Sequence, residues 1–201
     1  MKENMKDALE AGQYEEANSR IRKAVETGRF ESTSEGLYIP AENTLVQGRF
    51  SVAKRGEPAE FSQNLVVNQG LDYILSAAVG ATAGIANWYI ALFTGDVTVV
   101  ATWTAATFTA TSTEWTSYDE ATRVLWNKGT VASAGIDSFA SKSSFTSSSD
   151  TQIVRGAALL SASAKSATSG TLFASSRLSS DKTLDTGEIL DVGYGLQLTA
   201  V

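Results

Sequence analysis

Apolar residues follow two different rhythms along this chain. In residues 2–27, Met5, Leu9, Ala17, Ile21, Ala24 and Val25 recur at three- and four-residue spacing with Glu, Lys and Arg between them. That spacing predicts an amphipathic helix, or two helices around Gly12. Glu16 and Arg20 stand acid before base at i,i+4, a pair suited to a solvated face, and Gly28 supplies a C-terminal stop. Residues 62–78 read as a second helix, capped by Asn64, with Leu65, Val66, Val67, Leu71, Ile74 and Leu75 on a wide apolar face. β-Branched residues weaken its front half. The Gly/Ala-rich run 79–86 then serves as a connection.

From residue 88 the rhythm becomes that of strands. Residues 88–93 form a continuous apolar run stopped by Thr94-Gly-Asp96, and 123–126, 129–132, 139–145, 152–162, 170–177 and 188–199 are further candidates. Ile189, Val192, Tyr194, Leu196 and Leu198 make two period-2 tracks that slip by one residue near Asp191, where a bulge is expected. Turn-forming clusters at 148–150, 167–170 and 179–182 separate these runs. Short strands so spaced suggest a sandwich, jelly roll or barrel. The expected fold is mainly β: a β-sandwich or jelly-roll-like body, an N-terminal helix and extended arm, and one helix before the sheet. The Thr/Ala-rich stretch 97–118, carrying Trp103, Phe108, Trp115 and Tyr118, is a connection long enough to be functional or folded against something.

Residues 29–62 have no clean period. Pro40, Pro58, Gly36, Gly48 and Gly56 interrupt them, and Phe30, Tyr38, Phe50 and Phe61 are widely spaced. Two readings fit. One is an extended arm that lays isolated apolar anchors on another surface; the other is a loop with short strands at 36–39 and 44–53 that close the body's sheet. The expected division takes the first, with helix and arm over 1–62 and the β-sandwich over 63–201. Ile21, Val25, Phe30, Tyr38, Phe50 and Phe61 are then the candidate partner-binding residues.

Charge separates the same halves. Residues 1–60 hold nine of the 16 Lys and Arg and eleven of the 22 Asp and Glu, while the longer remainder has no His, Cys or Pro and all four Trp. The chain is 43% hydrophobic, enough to bury a core. A formal charge of −6 opposes the basic footprint that non-specific nucleic-acid binding needs. No apolar run reaches the ~20 residues of a membrane span. The N-terminus lacks the basic-then-apolar order of a signal peptide, so a protein made in the cytoplasm is expected.

Candidate chemistry is thin. Without His there is no Ser-His-Asp arrangement, and without Cys there is no thiolate nucleophile, disulfide framework or thiolate zinc site. Ser163/Lys165 and Ser141/Lys142 are the neighbours expected by chance in a serine-rich chain. Glu114, Asp119 and Glu120 stand among Trp115, Tyr118 and Trp126, as a glycosidase cleft would need. A turn whose acids pair with Arg123 beside core indoles explains them better. Asp181, Asp185, Glu188 and Asp191 lack EF-hand spacing and read as turn and strand-edge acids. Gly80-Ala-Thr-Ala-Gly84 lacks the Gly-Lys-Ser/Thr of a phosphate loop. The tryptophans could form a carbohydrate-stacking platform, but core and interface packing is the simpler role. No catalytic residue, metal site or cofactor is expected.

Three blocks carry a resemblance: Trp88-Tyr-Ile-Ala-Leu-Phe-Thr-Gly95, Glu114-Trp-Thr-Ser-Tyr118-Asp-Glu-Ala-Thr-Arg123-Val-Leu-Trp126, and Gly156-Ala-Ala-Leu-Leu-Ser-Ala-Ser-Ala-Lys165. With Gly70-Leu-Asp-Tyr-Ile-Leu75 before them and Gly170-Thr-Leu-Phe-Ala174 after, the set resembles a family of small virion proteins of tailed bacteriophages. It spans roughly residues 64–200 and leaves out the charged head. The resemblance implies a non-enzymatic capsid cement or decoration protein with a β-sandwich body, on the capsid exterior. Its partners would be the major capsid protein and other copies of itself, as dimer or trimer, with neither nucleic acid nor membrane. The alternative is a head-fibre or tail-associated module that binds a receptor or glycan through the Trp103–Trp126 region.

Overall fold

The structure, a computed structural model, describes Ser19, Ile21, Arg22, residues 31–33, residues 36–38 and residues 44–200. The chain divides into two units, residues 1–44 with 200–201 and residues 45–199. In the first, Ser19, Ile21 and Arg22 are helical, where the apolar spacing predicts a helix. The rest of that helix lies outside the described residues. Strands β1 (Glu31–Thr33) and β2 (Gly36–Tyr38) pair antiparallel, with Glu31 opposite Tyr38. This part of the expected arm is therefore a hairpin.

The second unit is mainly β, with two antiparallel sheets face to face. The first sheet holds β3 (Thr44–Lys54), β4 (Glu60–Gln63), β9 (Gly135–Asp137), β10 (Ser143–Thr146) and β13 (Ile189–Ala200). Its order is β10-β13-β3-β4, with β9 also paired to β13. The second holds β5 (Leu65–Val66), β6 (Tyr89–Phe93), β7 (Glu114–Trp115), β8 (Val124–Leu125), β11 (Gln152–Leu160) and β12 (Leu172–Leu184). Its order is β5-β12-β11-β6-β7, with β8 paired to β6.

Alternation explains the core. Phe50 and Val52 of β3, Phe145 of β10, and Leu190, Val192 and Tyr194 of β13 meet Ile90 and Leu92 of β6 and Ala157 and Leu159 of β11. The intervening residues of the second sheet, among them Ala91, Phe93, Ala158 and Leu160, are buried as well. They lie under Trp103 and helix α2 (Ala105–Thr111), whose Ala105 and Phe108 face them. A strand covered on both faces must be apolar throughout, which accounts for the unbroken run 89–93. The Thr/Ala-rich stretch is thus a third layer. Thr104 and Thr107 start α2 with reciprocal side-chain-to-backbone hydrogen bonds, a capping box built from two threonines.

Several expectations change. Helix α1 (Asn68–Ala78) starts six residues after the predicted position and lies between β5 and β6, so it does not precede the whole sheet. Leu65 and Val66 before it form strand β5, Val67 takes the N-cap position, and Asn64 does not cap: its amide donates to the Tyr194 hydroxyl at 3.1 Å. Residues 45–63 belong to the body, because β3 runs between β13 and β4; the division falls after residue 44, not 62. The second reading of 29–62 describes β3 correctly. Residues 129–132 form no strand, only a bridge from Ala132 to Gly135. Residues 179–182 are no turn; they continue β12. Along β10, strand β13 pairs without a slip from Ile189 to Val192, and Leu190, Val192 and Tyr194 are one inward track. Register shifts occur instead in the β11–β12 pairing, between Val154 and Gly156 and between Leu159 and Leu160, with the extra residues on β12.

Candidate functional site

The six candidate partner-binding residues are divided between the two units. Ile21 is 44% exposed, and Tyr38 is in β2. Val25 and Phe30 lie outside the described residues. Phe50 corrects the arm reading: its position on the inward face of β3 buries it fully, with its ring 4.8 Å from that of Tyr194. Phe61 alone of the pair from β3 and β4 reaches solvent, at 49% exposure.

The polar–aromatic cluster at 114–126 is closed on itself. Arg123 donates from Nε and Nη2 to the two oxygens of Glu114 at 2.8 and 2.7 Å, and from Nη1 and Nη2 to the carbonyls of Ala162 and Ala167. Glu120 accepts from the backbone N–H and hydroxyl of Thr146. Lys165 donates to the carbonyls of Thr116 and Tyr118 and lies 3.6 Å from the Tyr118 ring centroid; burial lowers its pKa. Trp88, Trp103, Trp115 and Trp126 are all buried, so the region presents no indole face for a sugar to stack on. The acids near the C-terminus are also held by protein: Asp181 by Arg155 and Arg177, Glu188 by Lys54, and Asp191 by Arg55 and Ser144. Among the described residues no three His, Cys, Asp or Glu side chains gather as a metal site would require.

A different place in the body is concave. Since Leu190, Val192 and Tyr194 point inward, Asp191, Gly193, Gly195 and Gln197 occupy the outer face of β13. Two of these four carry no side chain, and the Phe139 ring lies over the bare backbone. A Cβ at Gly195 would come within 2.6 Å of that ring, and one at Gly193 within 3.0 Å. Asp137, opposite Gly195 on β9, accepts the Phe139 N–H at 2.9 Å and fixes the loop. Phe61 meets Phe139 edge to face at 5.5 Å between centroids. The Arg49 guanidinium lies 4.6 Å from the Phe61 ring and 5.2 Å from the Phe139 ring. Arg49, Asp137, Phe139 and Gly195 border a cleft of about 530 Å³ that also takes in Gln47, Gln63, Asn127 and Gln197.

Sequence reasoning missed this cleft. Its aromatic ring, Phe139, comes from the loop before β10, its cation from β3, and the Phe61 ring that supports both from β4, so no short motif holds them together. The one local signal is Gly193-Tyr-Gly195 inside an alternating strand, which marks a close approach to the backbone. The sequence matches no protein-family model and no curated protein.

Proposed function

We propose that this chain is a non-enzymatic structural protein of a tailed-phage virion, binding the assembled capsid shell as a cement or decoration protein. The observation that carries the reading is how completely the body's polar clusters are engaged within the fold. Glu114, Glu120, Asp181, Glu188 and Asp191 all have protein partners, and every tryptophan packs inside. The sequence blocks that resemble small virion proteins supply the strands and loops of this same body, and the charged head is a separate unit.

Such a protein needs contacts, not a reaction. A ligand that binds the assembled shell and not its free subunits stabilises the shell by mass action. Repetition over a symmetric lattice multiplies modest contacts, and dimers or trimers fit its symmetry points. The buried indoles weigh against the glycan-binding reading through Trp103–Trp126.

Quantitative mass spectrometry of purified particles that encode the chain tests the proposal, together with heat stability of shells with and without added protein. Copies on the order of the capsid-subunit count, and shells that resist heat better when the protein is added, are expected. A handful of copies would assign it to the tail or neck, and absence from particles would overturn the virion reading.

A further inference from the structure

We propose that the cleft on the outer face of the first sheet binds a carboxylated saccharide, with Arg49 on the carboxylate and Phe139 in the wall that meets the sugar. The assignment concerns residues 47–197 alone and does not depend on where the protein is assembled.

The first observation is the state of Arg49. Residues 45–199 contain five arginines, and four have carboxylate partners: Arg55 with Asp191, Arg123 with Glu114, Arg155 with Asp181, and Arg177 with Asp96 and Asp181. Arg49 has none among the described residues. Stacking on two rings instead holds its guanidinium in place and leaves the N–H edge available, the edge that receives a carboxylate in a two-pronged pair. The order comes from the body's own rings, so little entropy remains to be lost on binding.

The second observation is the character of the walls. A volume of about 530 Å³ falls within the range of small-ligand sites. Three glutamine and asparagine side chains at the rim, Gln47, Gln63 and Asn127, offer paired donors and acceptors, which suit vicinal hydroxyls. None of the three makes a side-chain hydrogen bond among the described residues. The half-buried Phe139, Ile136 and Leu196 provide the apolar part of the lining.

Charge narrows the ligand further. One cation, Arg49, and one carboxylate, Asp137, border the cleft. Such a balance accepts a single negative group accompanied by neutral hydroxyls, and it opposes a polyphosphate or a nucleic-acid backbone, which need several cations. A sugar acid has that balance.

The test is a binding panel of uronate- and sialate-terminated oligosaccharides, each beside a neutral counterpart of the same length, read by calorimetry and by amide chemical shifts on the full chain. At least one carboxylated member should bind more tightly than its counterpart, with shifts clustered at Arg49, Gln63 and Phe139. Arg49→Gln should weaken that binding about tenfold or more, and Arg49→Lys should restore part of it. Phe139→Ala should weaken carboxylated and neutral sugars alike. Unchanged thermal unfolding of the Arg49 variants would confirm that the fold is intact. Failure of every carboxylated member to outbind its counterpart would overturn the proposal, as would affinity indifferent to Arg49→Gln.

Discussion

Arg123 and Glu114 form a two-pronged ion pair whose side chains are 0% and 2% exposed. The remaining capacity of both is filled as well: the Arg123 guanidinium reaches the carbonyls of Ala162 and Ala167, and Glu114 accepts the Ser166 N–H. The pair therefore fastens the loop between β11 and β12 to β7. It is a structural fastening where a catalytic carboxylate would have needed an open face.

Removing one partner leaves an unpaired buried charge, a change that costs about 3–5 kcal/mol. Arg123→Met and Glu114→Leu should each lower the unfolding free energy in urea by that order. The double variant Arg123→Met with Glu114→Leu should recover much of the loss, because no charge is then stranded. Additive single losses in the double variant would show that the pair is not coupled.

A second contact sets the spacing of the central strands. Gly156 of β11 is opposite Phe93 of β6, and a Cβ at Gly156 would overlap the Phe93 ring. That ring is held from the other side by Phe108, 6.0 Å away between centroids. Gly156→Ala should destabilise the body by about 1–3 kcal/mol through overpacking. Combined with Phe93→Leu, its cost should shrink in a double-mutant cycle. An unchanged cost would mean that the strain lies elsewhere.

These contacts mark where the sequence is legible. The apolar run 89–93 is readable as a strand because burial on both faces leaves no polar position in it. The slip predicted near Asp191 arose because Ile189 and Leu190 are both apolar; only the pairing with β10 shows that Leu190 leads the inward track. Ser179-Ser-Asp-Lys182 resembles a turn, yet these residues extend β12, since Glu60 of β4, Arg155 of β11 and Arg177 of β12 itself answer their polar side chains. The Arg49 cleft is unreadable for the same reason. Its parts meet only through tertiary structure.

Glu60 gives the fold a pH dependence. Its carboxylate hydrogen-bonds Lys182, Ser180 and Ser179, which hold its pKa at about 2, down from the ordinary 4.5. The folded pKa is below the unfolded one, so its contribution is complete above about pH 4.5 and disappears as pH falls through 2. Lys54 and Arg55 lower Glu188 and Asp191 in the same direction. The melting temperature should therefore fall between pH 4.5 and 2, and Glu60→Gln should fall less steeply over that interval. The two proteins should converge at the acid end. Parallel curves would remove Glu60 from the acid response.

The boundary between the two units makes the last prediction. β3 lies between β13 and β4, and its Phe50 and Val52 are inside the sandwich. The Tyr194 ring packs at a tilt against Phe50 and edge to face against Trp126, at 4.8 and 5.4 Å between centroids. A fragment of residues 44–201 keeps this aromatic cluster, whereas one of residues 63–201 loses β3 and β4 and opens the inner face of β13 to water. The longer fragment should unfold cooperatively and keep a sharp near-ultraviolet circular dichroism signal from its buried indoles. The shorter one should lose that signal and show tryptophan emission shifted to the red. If the shorter fragment folded as cooperatively as the longer, residues 45–62 would be an arm after all. If the longer fragment failed to fold, the head would be part of the body's stability, and its sequence could no longer be read as serving a partner alone.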